Sequence, residues 1–175
     1  MLGLSSIFLS PFSSLTYSPP IFSSRWDAIR LHYQRTDAPM RLTLEMRLTG
    51  GSQILLAPQR NNTLGTASIE VLTTYVTPEQ PWRSFLQQLT DRWTSYRAPT
   101  EGAPYLKARP HWAKEWQGLI VRGQPIETYL TEDVYKEERK EFVRVLEEIV
   151  KKRGGSLKET RDRFGNPLLD RLFFQ

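Results

Sequence analysis

The chain has 175 residues, of which 39% are hydrophobic, 25% charged and 11% aromatic. That length suits one domain, able to bury roughly 70% of the surface its unfolded chain exposes, and the composition is that of a globular protein, not a disordered one. The net charge of +5 comes from 24 basic residues interleaved with 19 acids, so it reads as a solvated basic surface or an attraction for anionic ligands, and no nucleic-acid partner is expected.

The densest basic run, Lys151-Lys152-Arg153, closes a predicted helix, where cations complement the helix dipole. With no cysteine, disulfides, thiolate metal sites and a Cys nucleophile are excluded. His32 and His111 are the only histidines and lack metal-binding spacing, so no metal site is predicted. No apolar run approaches the roughly 20 residues of a membrane span, and no transmembrane segment is expected.

Residues 1–24 stand apart. They mix apolar residues with Ser and Pro, carry no charge and lack the basic start of a secretory signal. Pro11, Pro19 and Pro20 would interrupt a helix. A poorly ordered leader, or the remnant of an upstream segment, is expected there, with residues 25–175 forming the domain. Trp26–Arg35 predicts a short helix capped by Ser23 or Ser24.

Met40–Thr49 has period-two alternation. Met40, Leu42, Leu44, Met46 and Leu48 form one face, and Arg41, Thr43, Glu45, Arg47 and Thr49 the other, which predicts a strand with one buried side. Gly50-Gly51 ends it, and a short strand over Gln53–Ala57 runs to Pro58. A polar loop covers 59–65. Ser68–Val76 is rich in β-branched residues and predicts another strand.

Thr77-Pro78-Glu79-Gln80 is a helix start with Thr77 as cap. Trp82, Phe85, Leu86, Leu89, Trp93 and Tyr96 then follow helical spacing and form its core face. A loop spans 99–104, and Tyr105–Arg109 predicts a short strand. Glu132–Lys152 predicts a second long helix with Tyr135, Phe142, Leu146 and Ile149 as its stripe, stopped by Gly154-Gly155. The tail from Arg163 is a turn and an apolar end that docks on the body.

Two groups of residues can carry chemistry. Glu45 and Arg47 point to one strand face, about 6.5–7 Å apart along the chain. A carboxylate and a guanidinium fixed on a strand make a clamp for a hydroxylated substrate or a developing anion, although such a pair is also a common surface salt bridge. Arg109-Pro110-His111-Trp112-Ala113-Lys114 gathers two cations, an imidazole and an indole after a strand end. No Walker loop, G-x-G-x-x-G or G-x-S-x-G motif accompanies them.

Together these segments resemble the C-terminal region of the aldonolactone oxidases, a family of vanillyl-alcohol-oxidase-type flavoenzymes that includes D-arabinono-1,4-lactone and L-gulonolactone oxidases. The resemblance rests on Leu44-Glu45-Met46-Arg47, on Arg109 to Lys114, and on the F-x-N-P-x-L run from Phe164 to Leu169. Ala113 stands where the family usually has Gly. The resemblance implies an α+β fold, an antiparallel sheet flanked by helices, serving as the cap or substrate domain of a two-domain FAD oxidase.

On that resemblance Glu45, Arg47 and Lys114 are catalytic, His111 and Asn166 lie toward the cofactor, and FAD is held mainly by a separate FAD-binding domain. The implied partners are a sugar lactone or polyol. The implied reaction is oxidation of a CH–OH group with dioxygen as acceptor, in a cytoplasmic or mitochondrial, membrane-associated setting. Two alternatives stay open: a catalytically silent binding module with the same cap fold, and an oxidase of alditols or other alcohols.

Overall fold

The fold is described from a computed structural model, over residues 4–10, 19–62, 65–97 and 102–174. Its architecture is α+β. A four-stranded sheet runs in the order β2-β3-β1-β4, with β1 at Leu4–Ser10, β2 at Glu45–Thr49, β3 at Thr66–Leu72 and β4 at Lys107–Pro110. Every pairing is antiparallel. Helices α1 (Pro19–Tyr33) and α2 (Glu79–Thr94) pack on each other and on the sheet.

The hairpin β5–β6 (Ile120–Val121 and Gln124–Pro125) follows. It turns on Arg122 and Gly123, both at positive φ (50° and 81°), as a two-residue primed turn requires. Next come α3 (Ile126–Tyr129), a π-helical turn over Leu130–Val134, α4 (Lys136–Lys152), α5 (Leu157–Phe164) and α6 (Pro167–Phe173).

Alternation in β3 builds the core. Ala67, Ile69 and Val71 are fully buried, while Ser68, Glu70 and Leu72 between them are half-buried. α2 presents Trp82, Phe85, Leu86, Leu89 and Trp93, each at most 3% exposed, with Tyr96 packed against them. This is the stripe the helical spacing predicts. Trp93 Nε1 donates to the Ser24 carbonyl at 2.9 Å and ties α2 to α1.

Several boundaries differ from the sequence reading. The segment set apart as a leader contains β1, which lies between β3 and β4, and α1 starts within it at Pro19. Proline suits a first helical turn, whose N–H groups have no partner inside the helix; Ser23 and Ser24 therefore sit inside the helix instead of capping it. β1 escaped notice because its seven uncharged residues, Leu4–Ser10, show no strict apolar–polar alternation. Residues 1–3 and 11–18 of the predicted leader, 63–64 of the polar loop and 99–101 of the later loop lie outside the described residues.

The strand predicted over Met40–Thr49 is regular only from Glu45. Arg41 and Leu42 both donate to the Leu72 carbonyl, at 3.1 and 3.3 Å, which inserts extra chain and breaks the alternation. Gln53–Ala57 forms turns, not a strand, with Leu56 at positive φ and Ile54 exposed. β3 ends at Leu72, and Tyr75 and Val76 are exposed in the following turn. Thr77 does not cap α2: its hydroxyl bonds that of Thr73 at 2.6 Å. The Tyr105–Arg109 strand begins at Lys107 and includes Pro110.

The helix expected from Glu132 is split at Tyr135 by the π-turn. Of its predicted stripe Tyr135 is buried, while Ile149 is half exposed. Its end holds: Gly155 N–H bonds Val150 O at 3.1 Å and Gly154 N–H bonds Lys151 O at 3.0 Å, with Gly154 at φ 76°. The tail docks through α6, whose Leu172 is buried and whose Leu168 and Phe173 join the core.

Because Phe85 has no exposed surface and meets the sheet from the middle of α2, Phe85→Ala should lower unfolding stability by about 3–5 kcal/mol. Chemical denaturation measures this, and a loss below about 1 kcal/mol would mean that α2 does not pack as described.

Candidate functional site

β2 carries Glu45 and Arg47 on one sheet face, where Arg47 Nη2 donates to Glu45 Oε2 at 2.5 Å. Both side chains are open to solvent, at 67% and 43% exposure for Arg47 and Glu45, so the pair alone adds little stability. The register places Glu45 directly opposite Glu70 of β3, and Arg47 opposite Ser68. Two carboxylates side by side repel. That repulsion is offset on one flank by Arg47 and on the other by Lys114, whose Nζ sits 2.8 Å from Glu70 Oε1.

The three residues marked as catalytic in the sequence are thereby brought to one patch, joined through Glu70. Sequence reasoning did not single out Glu70. Its signal was the Ser68–Glu70 polar face of β3, legible only once the register with β2 is known.

Lys114 reaches this face because the loop before it is anchored. Its N–H donates to His111 O at 3.0 Å, closing a turn, and Trp112 Nε1 donates to Leu56 O at 2.7 Å. The Trp112 ring lies 5.0 Å from that of Tyr135 and 6.2 Å from that of Phe173. His111 is half-buried and its Nδ1 accepts the Ala113 N–H at 3.1 Å. Asn166 is exposed and caps α6, its Oδ1 accepting from the N–H groups of Leu168 and Leu169, both at 3.0 Å. Its carbonyl oxygen thus serves the helix.

Beneath the loop lies Arg109, 1% exposed. Its Nη2 donates to Glu138 Oε1 at 3.0 Å and to Val134 O at 2.8 Å, and its Nη1 to Arg60 O at 3.0 Å and Pro58 O at 3.4 Å. The guanidinium carbon lies 4.6 Å from the Tyr135 ring centre. Planar geometry and five donors suit Arg to this role. In the R-P-H-W-x-K run, then, Arg109 and Trp112 hold the loop and Lys114 is displayed by it.

Burial pushes the hydroxyls of Tyr129 and Tyr135 above the ordinary tyrosine value, and burial with the Asp27 carboxylate does so for Tyr96. Tyr129 donates to the Ala108 carbonyl at 2.9 Å, and Tyr96 donates to Asp27.

Compared with family models, curated proteins and solved structures, the chain matches none. Among the described residues, no helix is long and apolar enough to cross a membrane.

Two predictions follow from the buried groups. Arg109→Met leaves the buried Glu138 carboxylate without its counter-charge and Glu138→Leu does the same to the guanidinium, so each should cost about 3–5 kcal/mol in urea denaturation. The pair Arg109→Met/Glu138→Leu should recover part of that loss but stay below the parent, because the carbonyls of Arg60 and Val134 lose their donor. Additive losses in the double variant would contradict the ion pair.

For the tyrosines, a folded-state value above the unfolded one means that their stabilising contribution is complete below about pH 10 and is lost as pH rises further. Phenolate absorbance should therefore rise together with loss of circular dichroism. Ionisation of all tyrosines near pH 10 with the fold intact would refute the burial of Tyr96, Tyr129 and Tyr135.

Proposed function

We propose that this chain is the substrate-facing domain of an FAD-dependent oxidoreductase that oxidises a CH–OH group of a sugar lactone, acting with an FAD-binding domain outside the chain. One observation carries the reading. Lys114, distant in sequence from Glu45 and Arg47, is held beside them on one sheet face by Glu70. The resemblance in the sequence asks for that grouping, and nothing in strand periodicity alone requires it.

The donor set suits a polyhydroxylated ligand. Glu45 and Glu70 accept hydrogen bonds from hydroxyl groups, and Arg47 and Lys114 offer donors to a carbonyl or a developing negative charge. It suits a pyrophosphate poorly, because both cations already face carboxylates of the same patch. This supports a role for the wall against the substrate and the reactive edge of a flavin, with the flavin's phosphates held elsewhere. When bound, FAD supplies the hydride acceptor, with dioxygen regenerating it and giving hydrogen peroxide.

The chain's own contribution is orientation and charge. Glu45, fixed on β2 and braced by Arg47, would bind a substrate hydroxyl. Arg47 and Lys114 would stabilise negative charge beside the carbon that loses hydride. His111, with Nδ1 engaged by the Ala113 N–H, would help shape the loop that carries Lys114. Asn166, occupied as a helix cap, has only its amide NH2 to offer.

Titration of the chain with D-arabinono-1,4-lactone, followed by amide chemical shifts, tests this reading. Shifts should centre on Glu45, Arg47, Glu70 and Lys114. Arg47→Ala should weaken binding about tenfold, with unfolding stability changed by less than about 0.5 kcal/mol. The chain alone should take up no stoichiometric flavin. Shifts elsewhere, or none, would overturn the site, and a stoichiometric yellow protein would overturn the assignment of the flavin to another domain.

A further inference from the structure

The two edges of the sheet are finished differently. At β4 the Tyr129 hydroxyl bonds the Ala108 carbonyl at 2.9 Å, the π-turn packs against the strand, and Pro110 brings no N–H. At the other edge β2 pairs, among the described residues, with β3 alone. Leu48 on β2 is 56% exposed, and nearby Leu42 and Ile54 are 40% and 73% exposed. A bare edge with exposed apolar side chains is a template for another strand.

We propose that β2 pairs antiparallel with β2 of a second copy of this chain, centred on Met46, to join two four-stranded sheets into one. Charge selects the copy and the register. Side chains alternate along a strand, so a register centred between two residues would set the apolar Met46 face of one copy beside the charged face of the other. Registers centred on a residue keep like faces together.

Centring on Glu45 opposes Glu45 to itself, and centring on Arg47 opposes Arg47 to itself. Centring on Met46 sets Glu45 against Arg47 of the second copy, and by symmetry does so twice, with Leu48 facing Leu44. Directly opposed unlike charges favour pairing and like charges oppose it. This is the self-complementarity a two-fold interface needs. Such pairing lies in the plane of the sheet, so the charged face stays open to a ligand. The inference does not depend on the proposed oxidation.

A five-residue strand makes a small interface, so the dimer should be weak, with Kd on the order of 10 micromolar. Sedimentation equilibrium of the full chain, from low to high micromolar concentration, provides the test. Glu45→Arg alone and Arg47→Glu alone should each weaken dimerisation about tenfold or more. An equimolar mixture of the two variants should restore it as a heterodimer, as should Glu45→Arg/Arg47→Glu in one chain. The exposed pair contributes little to the fold, so circular dichroism should not change. A chain that stays monomeric throughout overturns the proposal, and so does a dimer whose affinity is the same in both single variants and in their mixture.

Discussion

The buried guanidinium of Arg109 is the point where separate parts of the chain meet. It stands on β4, reaches the carbonyls of Pro58 and Arg60 in the loop after β2, and binds Val134 in the π-turn and Glu138 in α4. Taking a charge out of water is costly, and only several partners with good geometry compensate for it. Each of those partners therefore fixes a segment that has little regular structure of its own. The loop carrying Trp112 and Lys114 leaves β4 immediately after this anchor, and Trp112 closes on the same Tyr135 ring that Arg109 covers. The position of Lys114 on the sheet face is thus set from below.

The charged patch itself is held by alternation. Arg47, Glu45, Glu70 and Lys114 run across two strands and a loop as plus, minus, minus, plus. Arg47 and Glu45 stand open to solvent, while Lys114 and Glu70 are mostly covered, at 20% and 16% exposure, so the patch offers one open and one sheltered charge pair over a β3 whose other face is fully buried. A rigid support under an exposed polar group is the arrangement a binding wall needs.

Helices were the most legible part of the sequence. The α2 stripe from Trp82 to Tyr96 and the glycine stop of α4 came directly from spacing and from the backbone freedom of Gly154. Strands were less so. The alternation of Met40–Leu48 was real, but the shared carbonyl of Leu72 interrupts it, a tertiary contact no local pattern records. β1 was missed because LSSIFLS has no strict apolar–polar period to show. Glu45, Arg47 and Lys114 were picked out by residue type and motif. Their meeting depends on Glu70 and on strand register, which spacing along one strand does not encode. The π-turn before α4 likewise presents its Val134 carbonyl to Arg109, a contact that local helix spacing does not record.

The placement of β1 governs the order in which the molecule can assemble. Leu4 to Leu9 pair with β3 as far as Leu72, and Ile7 to Ser10 pair with β4 at Lys107 to Pro110. Of the four strands β1 therefore waits longest for both neighbours, since β3 and then β4 lie far along the chain from it. Closing loops of this length before their contacts form slows folding. Until then the edge of β1 that β4 covers stays open, the period in which the folding chain is most open to aggregation and to chaperone capture.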